Sequence, residues 1–211
     1  MTTVMNPELE SKRSFIYRQL ADGLKQSKSS EVSTALVDLS LLPRIGMRGS
    51  RSTEYLNAIK MPIPEKPNLA VSANTGELVL RLGVNSYWVL ASLVDAGVTL
   101  TSFTEKSLPE QDCYQAYCQH SHAWFAITGD LQAQIMAKIC GVDLREESFP
   151  LGAIVQTFAA GVSVIIVHHQ YEQTSLFSVF CDTTFAEYLW KTLGDAMAEF
   201  EGQVIGFNEL V

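Results

Sequence analysis

The chain is poor in the residues and patterns on which many enzyme classes depend. It holds only 4 histidines, and its 15 lysines and arginines are outnumbered by 23 aspartates and glutamates. The resulting formal net charge of -8 repels phosphate backbones and anionic bilayers, which makes nucleic acid and membrane surfaces poor default partners. Closely spaced glycines of the G-x-G-x-x-G kind are missing. Gly46-Met47-Arg48-Gly49 is no substitute, because it does not let backbone approach a pyrophosphate. There is no G-x-x-x-x-G-K-[ST] phosphate loop and no G-x-S-x-G nucleophile elbow. No pair of carboxylates stands out from the solvated charges.

Long apolar runs are missing as well. The most apolar stretch, 151–167, is interrupted by Gln156, Thr157, Gly161 and Ser163, and it falls short of the roughly 20 residues that span a bilayer. It reads as two buried strands around Ala159-Ala160-Gly161. Residues 1–10 show no basic start followed by an apolar core, which leads to the expectation of a cytoplasmic protein. Cys113, Cys118, Cys140 and Cys181 are scattered, so no disulfide framework is expected. A composition of 47% apolar and 18% charged residues, by contrast, supports a sizeable folded core.

Residues 1–30 read as a polar arm. Within it Ile16, Leu20 and Leu24 form one stripe of a short helix, which must dock on the body or on a partner to be stable. Residues 31–211 read as a single α+β domain of two related halves, about 36–112 and 113–211. In the first half, 36–47 is extended. Ser50 or Ser52 is expected to cap a helix carrying Tyr55, Leu56 and Ile59, which stops before Pro62. The proline-rich segment 61–68 is a stiff loop. Strands over 77–82 and 87–91 then meet at residues 83–86, where glycine and asparagine tolerate positive φ.

In the second half, a strand over 122–128 leads through Gly129-Asp130 into a helix bearing Ile135, Met136 and Ile139. Asp130 is expected to cap that helix and Gly141 to end it. Strands follow over 152–158, 162–168 and 176–181. The last helix starts at Thr184, with Glu187 completing a capping box. It buries Phe185, Leu189, Leu193, Met197 and Phe200, and Gly202 ends it. The halves echo one another. Arg44-Ile45-Gly46-Met47-Arg48-Gly49, followed by a helix ending Asn57-Ala58-Ile59-Lys60, matches Trp124-Phe125-Ala126-Ile127-Thr128-Gly129, followed by Ala137-Lys138-Ile139-Cys140. The interval from glycine to helix end is the same in both. Strand, glycine turn, helix and hairpin thus recur in order, as in a duplicated unit; two copies are too few for a solenoid.

Three groups of residues carry candidate chemistry. Cys113, Cys118, His120 and His122 have metal-ligand side chains, and in extended chain residues 118, 120 and 122 share a face. A structural zinc site draws its ligands from two separate turns. Here all four candidates fall in one short segment, so they read as buried cysteines and hydrogen-bonded histidines. His168 and His169 end a buried strand and point to opposite faces, one expected buried and the other exposed, with no nucleophile named beside either. Arg44, Arg48 and Arg51 crowd one stretch of an acidic chain. They suit carboxylates on a partner or within the chain, a solvated face, or a small anion. Arg44, Arg48, Arg51, His120 and His122 are the candidates for a partner interface. No catalytic, cofactor-binding or metal residue is assigned.

The second half also reads as family-like. The string Gln119-His120-Ser121-His122-Ala123-Trp124-Phe125-Ala126-Ile127-Thr128-Gly129-Asp130 resembles the gamma subunits of heterotetrameric sarcosine oxidases. So do Cys140-Gly141-Val142-Asp143-Leu144, Phe149-Pro150-Leu151-Gly152, Gln156-Thr157 and Phe185-Ala186-Glu187-Tyr188-Leu189-Trp190. The match covers about residues 115–200, and Arg44 to Gly49 is its best part in the first half. The resemblance implies the folate-binding-domain fold of the glycine-cleavage T-protein, an α+β fold of two related halves.

It further implies a non-catalytic subunit packed on the alpha subunit, with beta and delta subunits in the same complex. FAD, FMN, NAD and tetrahydrofolate are then expected in the alpha and beta subunits and zinc in the small delta subunit, with none in this chain. Such complexes demethylate sarcosine and pass the one-carbon unit to tetrahydrofolate. Folate-using relatives carry a Gly-Glu-x-Gly-x-Glu-like segment after the long strand. Here Tyr171-Glu172-Gln173-Thr174-Ser175-Leu176-Phe177 stands in its place, and residues 61–68 stand where such relatives keep an Asn-Asp pair. The alternative is a stand-alone folate-binding or aminomethyltransferase-like one-carbon protein, which rests on the fold relationship alone. A third reading is a scaffold for an unrelated partner.

Overall fold

The computed structural model describes residues 14–17, 19, 34–100 and 111–210. In chain order the strands are β1 (Thr34–Asp38), β2 (Arg44–Arg48), β3 (Leu69–Ser72), β4 (Leu78–Gly83), β5 (Ser86–Leu90), β6 (Tyr114–Ala116), β7 (His122–Gly129), β8 (Ile154–Ala159), β9 (Val162–Tyr171), β10 (Thr174–Asp182) and β11 (Gln203–Val204). The helices are α1 (Ser52–Ala58), α2 (Cys118–Ser121), α3 (Gln132–Ala137), α4 (Ala186–Ala198) and α5 (Phe207–Leu210). A 3₁₀ turn, Thr183–Phe185, leads into α4.

These strands form two sheets of the same construction. One has the order β3-β4-β5-β2-β6 and the other β8-β9-β10-β7-β1-β11. Apart from β11, the orders correspond strand by strand, and the registers agree. Gly46 pairs with Ala116 and Trp88 as its counterpart Ala126 pairs with Val37 and Ser178. The two related halves of the expected α+β fold are therefore present in space. After β2 and β7 the chain turns at Gly49 (φ 142) and Gly129 (φ 108) into the short helices α1 and α3. Both turns sit in backbone that L side chains rarely adopt.

The first strand of each half is exchanged. β1 precedes β2 in the chain but pairs with β7, whereas β6 precedes β7 but pairs with β2. The short connections after β1 and after β6 therefore both cross from one sheet to the other. The sheets also touch at their far edges, β3 and β8, where Leu69 bridges Ala153 and the Ala70 amide donates to the Gly152 carbonyl at 2.7 Å.

Side-chain alternation along the strands creates two cores. Between the sheets, Trp88 meets Phe180 edge-on at 5.5 Å, and Trp124 stacks on Phe180 at the same distance. Tyr55, Leu56 and Ile59 of α1 join this cluster. On the far side of the second sheet, Phe125, Ile127, Ile166 and Phe177 pack with Leu189, Trp190, Leu193 and Met197 of α4. Ile16 of the arm is fully buried in the same cluster, and the Ser14 hydroxyl donates to Asp38. Leu20 and Leu24 lie outside the described residues.

Several local expectations are corrected. Neither Ser50 nor Ser52 caps α1, and Asp130 does not cap α3; Arg51 and Leu131 occupy those positions without a side-chain cap. At the entry to α4, Asp182 rather than Thr184 supplies a cap, but to the leading 3₁₀ turn, accepting from the Thr184 amide at 2.8 Å; α4 itself has Phe185 at its N-cap, without a side-chain cap. Phe185 falls in the 3₁₀ turn and is half-exposed rather than part of the stripe. The β4–β5 hairpin keeps Gly83 and Asn85 at negative φ, with an irregularity in register between Arg81 and Gly83. The short strands β3 and β6 were not expected, being too brief to show a period.

Candidate functional site

The long strand β9 lies between β10 and the edge strand β8 and carries His168 and His169 on opposite faces. Both are buried, at 4% and 8% exposure. This corrects the expectation of one exposed histidine: the sheet is covered on both sides, so alternation alone leaves neither ring in water.

His169 points between the sheets. Its Nε2 lies 2.8 Å from the Ser178 hydroxyl, which also accepts from Trp124 Nε1 at 2.8 Å. The serine oxygen has two lone pairs and one proton, so either tautomer of a neutral His169 ring satisfies this contact. Burial, reinforced by the charge of His168 when that is protonated, pushes His169 down from 6.5 to about 4. The open space beside it is about 30 Å³, which is water-sized.

Below pH 6.5 the unfolded chain takes up a proton at His169 that the folded chain refuses until about pH 4. The stability linked to this site is therefore complete above pH 6.5. It falls by up to about 1.4 kcal/mol per pH unit as pH drops towards 4. A His169→Gln variant should show a flatter decline when urea midpoints are compared at pH 7, 6 and 5. Equal slopes in both proteins would contradict this account. His122, also pushed down by burial and by Arg44, has the same sign and remains in both proteins.

His168 faces the opposite side, where its Nδ1 lies 2.7 Å from the Phe149 carbonyl and its Nε2 2.9 Å from Ser175 Oγ. Gln132 Nε2 in turn reaches Ser175 Oγ at 2.6 Å. His168, Ser175 and Gln132 line a cavity of about 320 Å³. Each histidine has a serine diagonally across the β9–β10 hairpin. Sequence reading missed both pairs. The Glu172-Gln173 turn, once located, would have predicted them, since it fixes which positions face one another.

Among the interface candidates, Arg44 is corrected. It is 5% exposed and lies where the two sheet-crossing connections meet. Its guanidinium donates to the Cys118 carbonyl at 3.1 Å, the Gln119 carbonyl at 3.3 Å, the Ser40 carbonyl at 3.4 Å, and the His122 carbonyl. Gln119 joins them, accepting from the Arg44 amide at 2.8 Å and donating to Ser40 O at 3.2 Å. Burial lowers Arg44 to about 10, which leaves it charged at neutral pH, and Asp38 offsets part of that cost. The Arg44 side chain also stands 5.9 Å over the ring of Trp124, its own counterpart in the other half.

Arg48, Arg51 and His120 are exposed, Arg51 pairing with Glu54 at 2.7 Å. His122 is half-buried, with its ring 4.9 Å from Trp88. Cys118 to Ser121 is helical rather than extended, so residues 118, 120 and 122 do not share a strand face. All four cysteines are free and buried, and burial pushes Cys118 up to about 11 and Cys181 to about 12. Those thiols are unreactive at neutral pH. Among the described residues no group of histidine, cysteine and carboxylate side chains is placed to hold a metal ion. Nor is any helix among them long and apolar enough to cross a membrane.

The family described as the GCVT N-terminal domain matches residues 75–210, well over half of the chain. The chain belongs to that family. Among solved structures it is similar to heterotetrameric sarcosine oxidase from Corynebacterium sp. U-96, solved with pyrrole 2-carboxylate. The identity is 21% and the TM-score 0.73, over 90% of this chain and 96% of that one. It is also similar to the glycine cleavage system aminomethyltransferase T from Bartonella henselae, at 13% identity and a TM-score of 0.56. That match takes in 83% of this chain but only 48% of the aminomethyltransferase, so the present chain spans about half of that enzyme. No curated protein matches the sequence.

The fold is thus that of the glycine-cleavage T-protein. Within it, the segment Tyr171 to Phe177 forms the β9–β10 hairpin, and Tyr171 borders the 30 Å³ space beside His169. The space beside His169 is by itself too small for a pterin ring.

Proposed function

We propose that this chain is a gamma-like, non-catalytic subunit of a cytoplasmic sarcosine oxidase, or of a related complex that oxidises N-methyl amino acids and feeds one-carbon units to tetrahydrofolate. The observation that carries the reading is one of extent. The fold matches 96% of a chain from a heterotetrameric oxidase but 48% of the aminomethyltransferase.

In this reading the alpha subunit is the direct partner and beta and delta complete the complex. FAD, FMN, NAD and tetrahydrofolate belong to the partners, and zinc belongs to the small subunit. The interior polar groups fit a supporting role, because His169, Ser178 and Trp124 are engaged with one another. The surface proposed to meet the partner is the exposed side of β6, where Arg48 and Tyr114 are cross-strand neighbours and Arg51, Tyr117 and His120 lie close in sequence. Arginine and tyrosine are enriched at such interfaces.

Co-expression with the oxidase subunits of the same organism tests the proposal. The expected result is a stoichiometric complex on size exclusion that is weakened by Tyr114→Ala with Arg48→Ala. A chain that elutes alone and unchanged beside its co-expressed alpha subunit would overturn it. Saturable heat with tetrahydrofolate would favour the stand-alone folate reading instead.

A further inference from the structure

The geometry points to an activity on the helix-covered face of the second sheet: Ser175, with His168 as its base, is a nucleophile that cleaves small carboxylic esters. The case begins with the histidine. The Phe149 carbonyl can only accept, so a neutral His168 ring carries its proton on Nδ1. That leaves the lone pair of Nε2 facing Ser175 Oγ at 2.9 Å. A serine is activated by a base within hydrogen-bond reach that is itself oriented by a third group. Here the third group is a backbone carbonyl. It fixes the tautomer as a carboxylate would but stabilises an imidazolium less, so the expected turnover is slow.

The two histidine–serine pairs of β9 and β10 differ in access. Ser178 is fully buried, and only the 30 Å³ space lies beside its histidine. Ser175 is part-exposed and, with His168, lines the 320 Å³ cavity, a volume within the range of small-molecule sites. Gln132 adds a donor. Because Ser175 gives its single proton to His168, its oxygen accepts from Gln132, which places the amide nitrogen 2.6 Å away. The other N–H of that amide meets no acceptor among the described residues. It lies beside the atom to which the ester carbon bonds, where an oxyanion develops.

The reaction is acyl transfer. As Ser175 Oγ bonds to the ester carbon, its proton passes to His168 Nε2. The bond from that carbon to the alcohol oxygen then breaks, and the leaving alcohol takes the proton from Nε2. Water repeats the sequence on the acyl-serine, which releases the acid and restores both residues. The lining sets the substrate class. Leu144, Leu151 and Phe177 supply apolar wall, Asp130 and Glu146 are exposed at the rim, and no lysine or arginine lines the cavity. A short, uncharged ester fits these features, whereas one bearing a carboxylate is repelled. This activity is separate from the oxidation and the assembly proposed above.

The test treats the full chain with an alkyl fluorophosphonate, from which Ser175 Oγ displaces fluoride, and separately with p-nitrophenyl acetate. Intact mass and peptide mapping follow the first, and release of p-nitrophenol follows the second. The expected result is a single phosphonyl adduct, on Ser175 and not on Ser178, that is lost when the chain is unfolded in urea beforehand. Ser175→Ala, altered only at a part-exposed hydroxyl, should abolish the adduct and return ester hydrolysis to the buffer rate. His168→Gln should slow both reactions by about 10²–10⁴-fold. If that variant does not fold, the mapped position of the adduct and the urea control still decide the matter. No adduct on Ser175 in the folded chain, an equally fast adduct in urea, or undiminished hydrolysis in Ser175→Ala would each overturn the assignment. None of these outcomes bears on whether the chain joins a complex.

Discussion

Replacing Arg44 with methionine is expected to destabilise the chain by about 3–5 kcal/mol, the range found when one side of a buried charged network is removed. Methionine fills much of the same space, so the loss is not mainly a cavity effect. It arises from the carbonyls of Ser40, Cys118, Gln119 and His122, each of which loses a donor, although Gln119 still donates to Ser40 and the His122 amide to Cys118. Those carbonyls belong to the two connections that carry β1 and β6 to the opposite sheets. Arg44 thus holds the crossing of the halves in place. Lysine should restore only part of the loss, since one ammonium cannot match the planar fork of five donors. In a thermal melt the methionine variant should fall by roughly 6–20 °C for a chain of this size. A change below about 1 kcal/mol would mean that water or rearrangement satisfies those carbonyls.

The second large effect is expected at Gly46, where φ is ordinary and the constraint is purely one of space. A Cβ at this position would stand 2.4 Å from the Ala116 carbonyl oxygen and 2.9 Å from its methyl group. Relief must come from the backbone of β6, so Gly46→Ala should cost about 3 kcal/mol by overpacking and should loosen β6 from β2. The other half provides the control. Ala126, the counterpart of Gly46, already carries a methyl group opposite Val37. Ala126→Gly should therefore cost only about 1 kcal/mol, mainly from chain entropy and lost burial. Denaturant midpoints for the two variants compare the sites directly. Equal effects at both would refute the packing argument. Should the β6 face meet a partner, Gly46→Ala would also weaken the complex, whereas Ala126→Gly would leave it intact.

Much of the architecture was legible along the chain because its strongest signals are local. Gly49 and Gly129 punctuate two strand-to-helix turns, and the spacing of the echo around them carried the duplication. The apolar runs of β7, β9 and β10 and the stripe Leu189, Leu193 and Met197 on α4 were plain for the same reason. Caps were not legible. Ser52 and Asp130 are suitable residue types, but their side chains go elsewhere, and Asp182 rather than Thr184 caps the turn into α4. Residue type states what a side chain is able to accept, while the direction in which the chain approaches the helix selects the group that does.

The candidate chemistry was the least legible part. Arg44, Arg48 and Arg51 look alike as a cluster, yet Arg44 is enclosed by carbonyls from residues 40 and 118–122 while the other two meet solvent. Apart from Ser40, the enclosing groups come from a distant stretch of chain, brought there by the exchange of β1 and β6, and nothing local to Arg44 announces them. The pairs His168 with Ser175 and His169 with Ser178 depend on hairpin register, and the burial of both rings depends on both faces of the sheet being covered. The alternation of residues along the chain and its glycine punctuation therefore specified the α+β class and the two related halves, because period and turn preference act over a few neighbouring residues. Which strand joined which sheet, which arginine was buried and where a cavity remained were settled by contacts between segments far apart in the chain. Packing and hydrogen-bond satisfaction act through space, and no window of sequence contains both partners.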